Sequence, residues 1–300
     1  MAGESSLTLT YGPLLTTTLM HVLNSGVIAD QVYDATPTLK WLRSGDRIKV
    51  LDGGERIRVG VRTGSNGTFQ WYSDYDTLNI TPQVGQTTAF FNWKQGAASV
   101  SISGNELRLN SGKAAIANLL NEKISQAKDA LIDNVATGVY SDGTGSGSKQ
   151  ITGLGAMIAT DPTTGTYASI NSATNVNWRN RIDANVGSAA ANLLSSLRTL
   201  YNSCARGKNG AASAPDFIPM PQTIHEAFES LHVPMLRFAS LEKPDLGAQR
   251  LVYKGAEVAL DQYATAGTCH LLNSNHTMFF VHRDANFAMA DGGFQKPYRS

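Results

Sequence analysis

The residue types best suited to bind a metal ion lie together on one predicted helix. His225, Glu229 and His232 are four and three residues apart, so on a helix they share a face and could hold a metal ion. A zinc-peptidase motif would need a second histidine at position 229, where a glutamate stands. We therefore interpret the three side chains as a solvated helix face and predict no metal site.

Other reactive residue types also lack the context that catalysis needs. Cys204 falls on the apolar side of a predicted helix, and Cys269 has only the adjacent His270 beside it. Gly143, Gly145 and Gly147 lack the preceding strand and following Lys-Ser/Thr of a phosphate-binding loop, so they predict a flexible linker. The Gly-x-Ser-x-Gly pattern of hydrolases is absent. The sequence therefore predicts no catalytic residues, no cofactor and no enzymatic activity.

Composition narrows the class of protein further. The chain has 300 residues, 42% of them hydrophobic, which is enough for a core, and a net charge of +1, which disfavours a dedicated nucleic-acid binder. Its two cysteines suit a reducing compartment. The sequence shows neither a signal peptide nor an apolar run of about 18 residues, so we expect a cytoplasmic protein without membrane contact.

The first structural signal is a predicted β-hairpin projection over residues 46–105. Apolar residues at 57, 59 and 61 alternate with Arg56, Arg58 and Arg62, which is the period of a half-exposed strand. Asn66-Gly67 predicts a tight turn. The aromatic stretch 69–75 predicts the partner strand, and residues 88–93 and 99–103 predict two more.

This projection has more aromatic surface than its own strands can cover, and a two-stranded ribbon alone is marginally stable. We expect the cover to come from the rest of the chain or from a neighbouring subunit. Along this projection, basic residues come first and acidic residues follow. This order indicates either a solvated strand face or a charge dipole that meets opposite charges on neighbours. The predicted intersubunit contacts are Arg56, Arg58, Arg62, Phe69, Trp71, Tyr72, Asp74 and Asp76.

The period then changes to that of helices. Within residues 106–140, apolar residues at spacings of three and four predict one long amphipathic helix that is capped near Asn110 or Ser111 and ends at Ser141-Asp142-Gly143. Residues 151–300 predict a mixed α/β region. Its strands are placed at 151–158, 216–220, 258–260, 270–272 and 278–281, and its helices at 190–204 and from Pro221. Residues 1–40 predict an extended arm with one short helix near Val27–Tyr33, and Pro37 closes this stretch.

This order of elements resembles the Hong Kong 97-type capsid fold of tailed bacteriophages. Gly53-Gly54-Glu55-Arg56-Ile57 looks like the start of that family's extended loop, and Trp93-Lys94 followed by VSISGNELRLN looks like its end. AIANLLNEKISQAKDALIDNVATGVYSDG is similar to its spine helix. The resemblance covers roughly residues 25–290. It implies an α+β fold with an N-terminal arm (1–45), an extended loop (46–105), a peripheral domain (106–147 and 276–300) and an α/β axial domain (148–275).

The resemblance also implies a function. A major capsid protein of this family self-assembles in the host cytoplasm, as pentamers and hexamers, into the icosahedral shell of the virion. That shell would enclose double-stranded DNA without sequence-specific contact. Only some 45 residues precede the loop, which implies either a separate scaffolding protein or none, besides a portal. No matching Lys-Asn pair for cross-linking is located, so we expect non-covalent assembly.

Three alternatives remain at this stage. An encapsulin-like nanocompartment shell shares the fold but stores enzymes instead of DNA. An α/β hydrolase would need a buried Ser-His-Asp or metal constellation, which the sequence does not show. A tail or fibre protein is a further alternative, which the long predicted helix disfavours.

Overall fold

The structure is a computed structural model that describes residues 32, 34–64, 66–109, 113–184, 189–205, 214–239 and 251–287. Over these residues the chain forms helices and short strands, an α+β arrangement. The helices are α1 Pro37–Arg43, α2 Gly104–Leu109, α3 Lys113–Tyr140, α4 Leu154–Met157, α5 Ala189–Cys204 and α6 Gln222–Ala239. The strands are β1 Ile48–Leu51, β2 Ile57–Arg62, β3 Gln86–Phe91, β4 Thr166–Tyr167, β5 Ile170–Asn171, β6 Phe217–Met220, β7 Val252–Tyr253, β8 Ala256–Leu260 and β9 Phe279–His282.

Helix α1 begins where the sequence predicted the end of an extended arm. Pro37 occupies the first turn, where its missing N–H costs nothing, and the Thr36 hydroxyl accepts a hydrogen bond from the Leu39 N–H at 3.3 Å. The expectation of an extended arm is therefore wrong over residues 37–40, which are helical. Trp41 is buried and stacks on Phe217 of β6 at 4.8 Å, so α1 belongs to the core. Residues 1–31 of the predicted arm lie outside the described residues.

The α/β region is built on a three-stranded sheet of order β6-β8-β7. Strand β6 runs parallel to β8, and β7 pairs with β8 in the antiparallel sense. Every residue of β6 is buried, as expected for a parallel strand covered on both faces. Helices α5 and α6 pack on this sheet through Leu197, Ile224 and Phe228. The predictions of a buried strand at 216–220, of a helix from Pro221 and of a helix over 190–204 are confirmed.

The long helix is confirmed in its length and in its end. Helix α3 has 28 residues, which corresponds to about 42 Å, and it ends at Tyr140 before Ser141. Its buried face includes Leu120, Ile124, Ala136 and Val139. Residues 104–109 form the separate helix α2, which precedes the predicted start of the long helix. The predicted caps Asn110 and Ser111 lie outside the described residues.

Two predicted strands of the α/β region are wrong. Residues 151–158 contain α4 in place of a strand, and the chain turns into it through Gly153, whose N–H donates to the Ser141 carbonyl at 3.0 Å. Residues 270–272 contribute an isolated bridge between Leu272 and Phe217. Strand β9 is confirmed, and it pairs in parallel with β1. Among the described helices, none combines the length and apolar character needed to cross a membrane.

The close approach at Gly153 gives a stability prediction. A Cβ atom at this position would overlap the carbonyl oxygens of Gly138 and Val139, which are backbone atoms at the end of α3 and cannot move aside. We expect Gly153→Ala to lower the free energy of unfolding by about 1–3 kcal/mol, as overpacking does. Denaturant unfolding of the purified chain measures this change. Gly96→Ala is the matched control, because a Cβ there meets nothing within 4 Å; equal stability of the two variants would refute the packing argument.

Candidate assembly surface

Strands β2 and β3 form the base of a hairpin. They pair in the antiparallel sense from Ile57 opposite Phe91 to Arg62 opposite Gln86. On one face, Ile57 and Ala89 are buried. On the other face Arg58 and Arg62 are exposed, so the predicted period-two strand is confirmed.

Residues 63–85 connect the two strands and are called the hairpin loop below. Its described residues form no strand, so the predicted partner strand at 69–75 is wrong, as is the predicted strand at 99–103. The actual partner of β2 comes later in the chain. Short polar side chains hold the loop in local turns: Asn66 accepts hydrogen bonds from the backbone and hydroxyl of Thr68 at 2.9 and 2.6 Å, and Asp76 accepts one from the Ser73 N–H at 2.8 Å. Such bonds compete with a strand ladder.

The hairpin loop exposes large apolar side chains. Phe69 is 74% exposed, Trp71 90%, Tyr72 69% and Tyr75 100%. Phe69 and Trp71 touch edge to face at 5.4 Å, which leaves most of both rings open. Leu78, Ile80 and Val84 extend the exposed apolar surface along the same segment. Such a concentration of exposed apolar side chains marks an interaction site.

One side of the hairpin base is fixed by residues 166–178. The Phe90 N–H donates to the Ala168 carbonyl at 3.0 Å, and the Phe91 ring meets Tyr167 at 5.6 Å. The Asn177 amide donates to the Thr63 carbonyl at 2.7 Å, at the point where the hairpin loop begins. These contacts hold the base against its own subunit and leave the loop beyond it exposed.

The other side of the base is joined to the β1–β9 sheet. The Trp93 indole N–H donates to the Gly54 carbonyl at 2.8 Å, and its ring lies edge-on to His282 at 5.6 Å. Asp52 and Arg283 form an exposed ion pair at 2.7 Å. Gly54 has a φ of +116°, which an L side chain rarely adopts, so glycine is needed where β1 turns into β2.

The predicted charged residues divide between the two ends of the hairpin. Arg56, Arg58 and Arg62 are exposed at the base, and Asp74 and Asp76 are exposed in the loop. The Arg58 guanidinium lies 5.9 Å from the Phe90 ring centre. The structure therefore places the basic residues at the hairpin base and the acidic residues in the hairpin loop.

A buried polar network lies at the C-terminal end of α3, and the sequence did not predict it. The Tyr140 hydroxyl donates to the fully buried Asp261 carboxylate at 3.0 Å and is 2.7 Å from the Thr38 hydroxyl. The Tyr263 N–H donates to the second carboxylate oxygen at 3.0 Å. Burial, together with the negative charge of Asp261, raises the pKa of Tyr140 far above its usual value, so the phenol remains a donor. The network joins α1, α3 and the residue that follows β8.

The candidate reactive groups show no assembled chemical site. Within the part of the chain that the structure describes, no three His, Cys, Asp or Glu side chains are grouped to hold a metal ion. His225 faces Glu229 at 3.4 Å, and the side chain of His232 lies outside the description. Burial raises the pKa of Cys269 to about 12, which disfavours its thiolate.

Comparison with known proteins supports the fold. No protein-family model matches the chain, and no curated protein matches its sequence. Among solved structures, the chain is similar to one titled as the cyanophage A-1(L) capsid asymmetric unit, with a TM-score of 0.57 and 19% sequence identity. The similarity covers 86% of this chain and 76% of that chain. The chain therefore has a phage capsid-like α+β fold.

The buried His270 beside the Tyr140 network gives a pH prediction. Burial lowers its pKa because the charged imidazole loses hydration, and its Nε2 atom has no hydrogen-bond partner among the described residues. The unfolded chain then binds a proton more readily, at a pKa of about 6.5. Stability is therefore complete above this pH and declines as the pH falls below it toward the lowered folded pKa.

We expect His270→Leu to reduce that decline between about pH 6.5 and pH 5, since it removes the titrating group. Denaturant unfolding of the unassembled subunit at several pH values measures the effect. His276→Leu is the control, because His276 is exposed and its replacement should leave the decline as in the unmodified chain. An identical pH dependence of His270→Leu and the unmodified protein would contradict the assignment.

Proposed function

We propose that this chain is the major capsid protein of a tailed bacteriophage, a subunit that self-assembles into the icosahedral head shell. The observation that carries the proposal is the hairpin loop, whose aromatic side chains stand in solvent on a base fixed to its own subunit. The phage capsid-like fold supports the same role. Such a role uses surface geometry and requires no catalysis.

The size of the exposed surface fits a specific contact between copies. An aromatic side chain buries about 150–250 Å², so Phe69, Trp71, Tyr72 and Tyr75 together offer roughly 600–1,000 Å². One partner of a stable interface contributes about 800 Å². Aromatic residues also dominate the binding energy of interfaces, which makes Phe69, Trp71 and Tyr72 the proposed anchors.

In Hong Kong 97-type terms, the β2–β3 hairpin with its loop is the extended loop of residues 46–105. Helix α3 and β9 belong to the peripheral domain, and β9 pairs there with β1 of the extended loop, whereas the β6-β8-β7 sheet with α5 and α6 belongs to the axial domain. Each hairpin loop lies on a neighbouring copy within pentamers and hexamers. The shell assembles in the host cytoplasm with a separate scaffolding protein and a portal, and it encloses double-stranded DNA without sequence-specific contact.

Size-exclusion chromatography and negative-stain microscopy of the purified full chain test this function. We expect capsomers or closed shells far larger than one subunit. A chain that stays monomeric at every concentration, with and without a scaffolding protein, would refute the proposal. Particles that hold enzymes in place of DNA when isolated from their natural host would identify the encapsulin-like alternative.

Trp71→Ala tests the hairpin loop itself. Trp71 is almost fully exposed in the single subunit, so we expect its loss to change the free energy of unfolding by less than about 0.5 kcal/mol. In the assembled state it removes a buried anchor, and we expect few or unstable shells. Shell yield by microscopy and unfolding of the unassembled subunit are measured side by side.

Val252→Ala is the control, because Val252 is an exposed apolar residue of β7, away from the hairpin loop and from residues 166–178 that hold its base. It should assemble as the unmodified chain does. Normal shell yield and shell stability for Trp71→Ala would rule out this anchor.

A further inference from the structure

The pair Asn66-Gly67 in the hairpin loop has the residue types for a self-modification. Both residues are exposed to water. In such a pair the backbone nitrogen of the glycine can attack the side-chain carbonyl of the asparagine, because the two groups are held close together in one chain and glycine has no side chain to hinder the approach. The reaction needs water and no second protein.

Two hydrogen-bond donors already lie on the carbonyl oxygen that this attack would charge. The Asn66 Oδ1 atom accepts from the Thr68 N–H at 2.9 Å and from the Thr68 hydroxyl at 2.6 Å. Attack places a negative charge on this oxygen, and a hydrogen bond to a charged oxygen is about twice as strong as one to a neutral oxygen. Thr68 therefore stabilises the charged intermediate more than it stabilises the starting amide.

The same loop contains a second asparagine with the same donors and a different neighbour. The Asn79 Oδ1 atom accepts from the Thr81 N–H at 3.0 Å and from the Thr81 hydroxyl at 2.7 Å. Asn79 and Ile80 are both exposed. The attacking nitrogen here belongs to Ile80, whose branched side chain crowds it. The two sites therefore differ chiefly in the residue that supplies the nucleophile.

The backbone does not require glycine at position 67. Its φ is not positive, and a Cβ atom there would meet only the Gln83 amide oxygen, at 3.7 Å, which is an ordinary contact. The fold therefore tolerates a side chain at this position. What glycine does here is to leave the Asn66 carbonyl open to attack.

We propose that Asn66 converts itself to aspartate and isoaspartate through a succinimide ring. The Gly67 nitrogen gives its proton to water and forms a bond to Asn66 Cγ. The bond from Cγ to Nδ2 then breaks, and Nδ2 leaves as ammonia after it takes up a proton from water. Water next opens the ring: its addition at Cγ gives aspartate, and its addition at the Asn66 backbone carbonyl gives isoaspartate. No oxidation or reduction is involved.

This site goes beyond the proposed function, because one chain and water suffice for the reaction. A neutral amide becomes a carboxylate, which adds one negative charge to a loop that already contains Asp74 and Asp76. Isoaspartate also adds a methylene group to the main chain. The change falls just beyond Thr63, whose carbonyl accepts from the Asn177 amide at 2.7 Å. The isoaspartate form of the loop therefore leaves its fixed base in a different direction.

The test is incubation of the full chain, diluted to single subunits, at mildly alkaline pH. Peptide mapping by mass spectrometry follows each asparagine separately, and it also resolves Asn209-Gly210, a pair outside the described residues. We expect Asn66 to convert at least about tenfold faster than Asn79. Gly67→Ile should slow Asn66 to the rate of Asn79, and Ile80→Gly should raise Asn79 toward the rate of Asn66. No conversion of Asn66 in the unmodified chain, or equal conversion of the two asparagines, would overturn the proposal.

Thr68→Val tests the donors apart from the Asn-Gly pair, because valine keeps the shape and the N–H and removes the hydroxyl. We expect conversion of Asn66 to be about three- to tenfold slower, as the loss of one hydrogen bond to the intermediate gives. Thr81→Val is the matched control and should leave Asn66 unchanged. Equal rates at Asn66 in Thr68→Val and in the unmodified chain would overturn the role of Thr68.

Discussion

The organisation of this molecule depends on apolar surface that its own described chain does not cover. In most β-hairpins the aromatic side chains pack on a core, and their burial offsets the entropy of ordering the strands. Here the hairpin base is held by residues 166–178 and by Trp93, whereas the loop that carries Trp71 and Tyr75 stands in solvent. A second copy is the cover that our proposal supplies, and assembly then completes the burial.

A contact of this kind is specific only if the body that carries it keeps its shape. The long helix α3 contributes to this fixed shape. Its last residue, Tyr140, forms a buried hydrogen-bond network with Asp261 and Thr38. Buried polar networks that are satisfied favour one arrangement over others, because any displacement leaves a polar group without a partner. The subunit thus combines a fixed body with an exposed, locally hydrogen-bonded loop.

Periodicity predicted the elements that bury one face: β2, α3, α5 and the β6–α6 unit. It failed for two segments whose residue types indicate a strand but which pair with no other strand in the structure. Residues 69–75 have the composition of a strand, but local turns at Asn66 and Asp76 and the later partner β3 leave them unpaired. Residues 151–158 are largely apolar, yet they contain α4, because Gly153 approaches the end of α3 closely.

The Tyr140 network joins residues more than 100 positions apart, and no local pattern reveals such a contact. The exposed arginines of β2 were predicted from the alternation of the sequence.

The most direct test of the central claim compares backbone hydrogen exchange and hydroxyl-radical labelling of residues 69–84 in the unassembled subunit and in assembled particles. Our account predicts that labelling of Trp71 and Tyr75 is rapid in the subunit and falls strongly on assembly, while residues 166–178 are protected in both states. Equal labelling of the hairpin loop in the two states would show that no copy covers it, and would contradict the account.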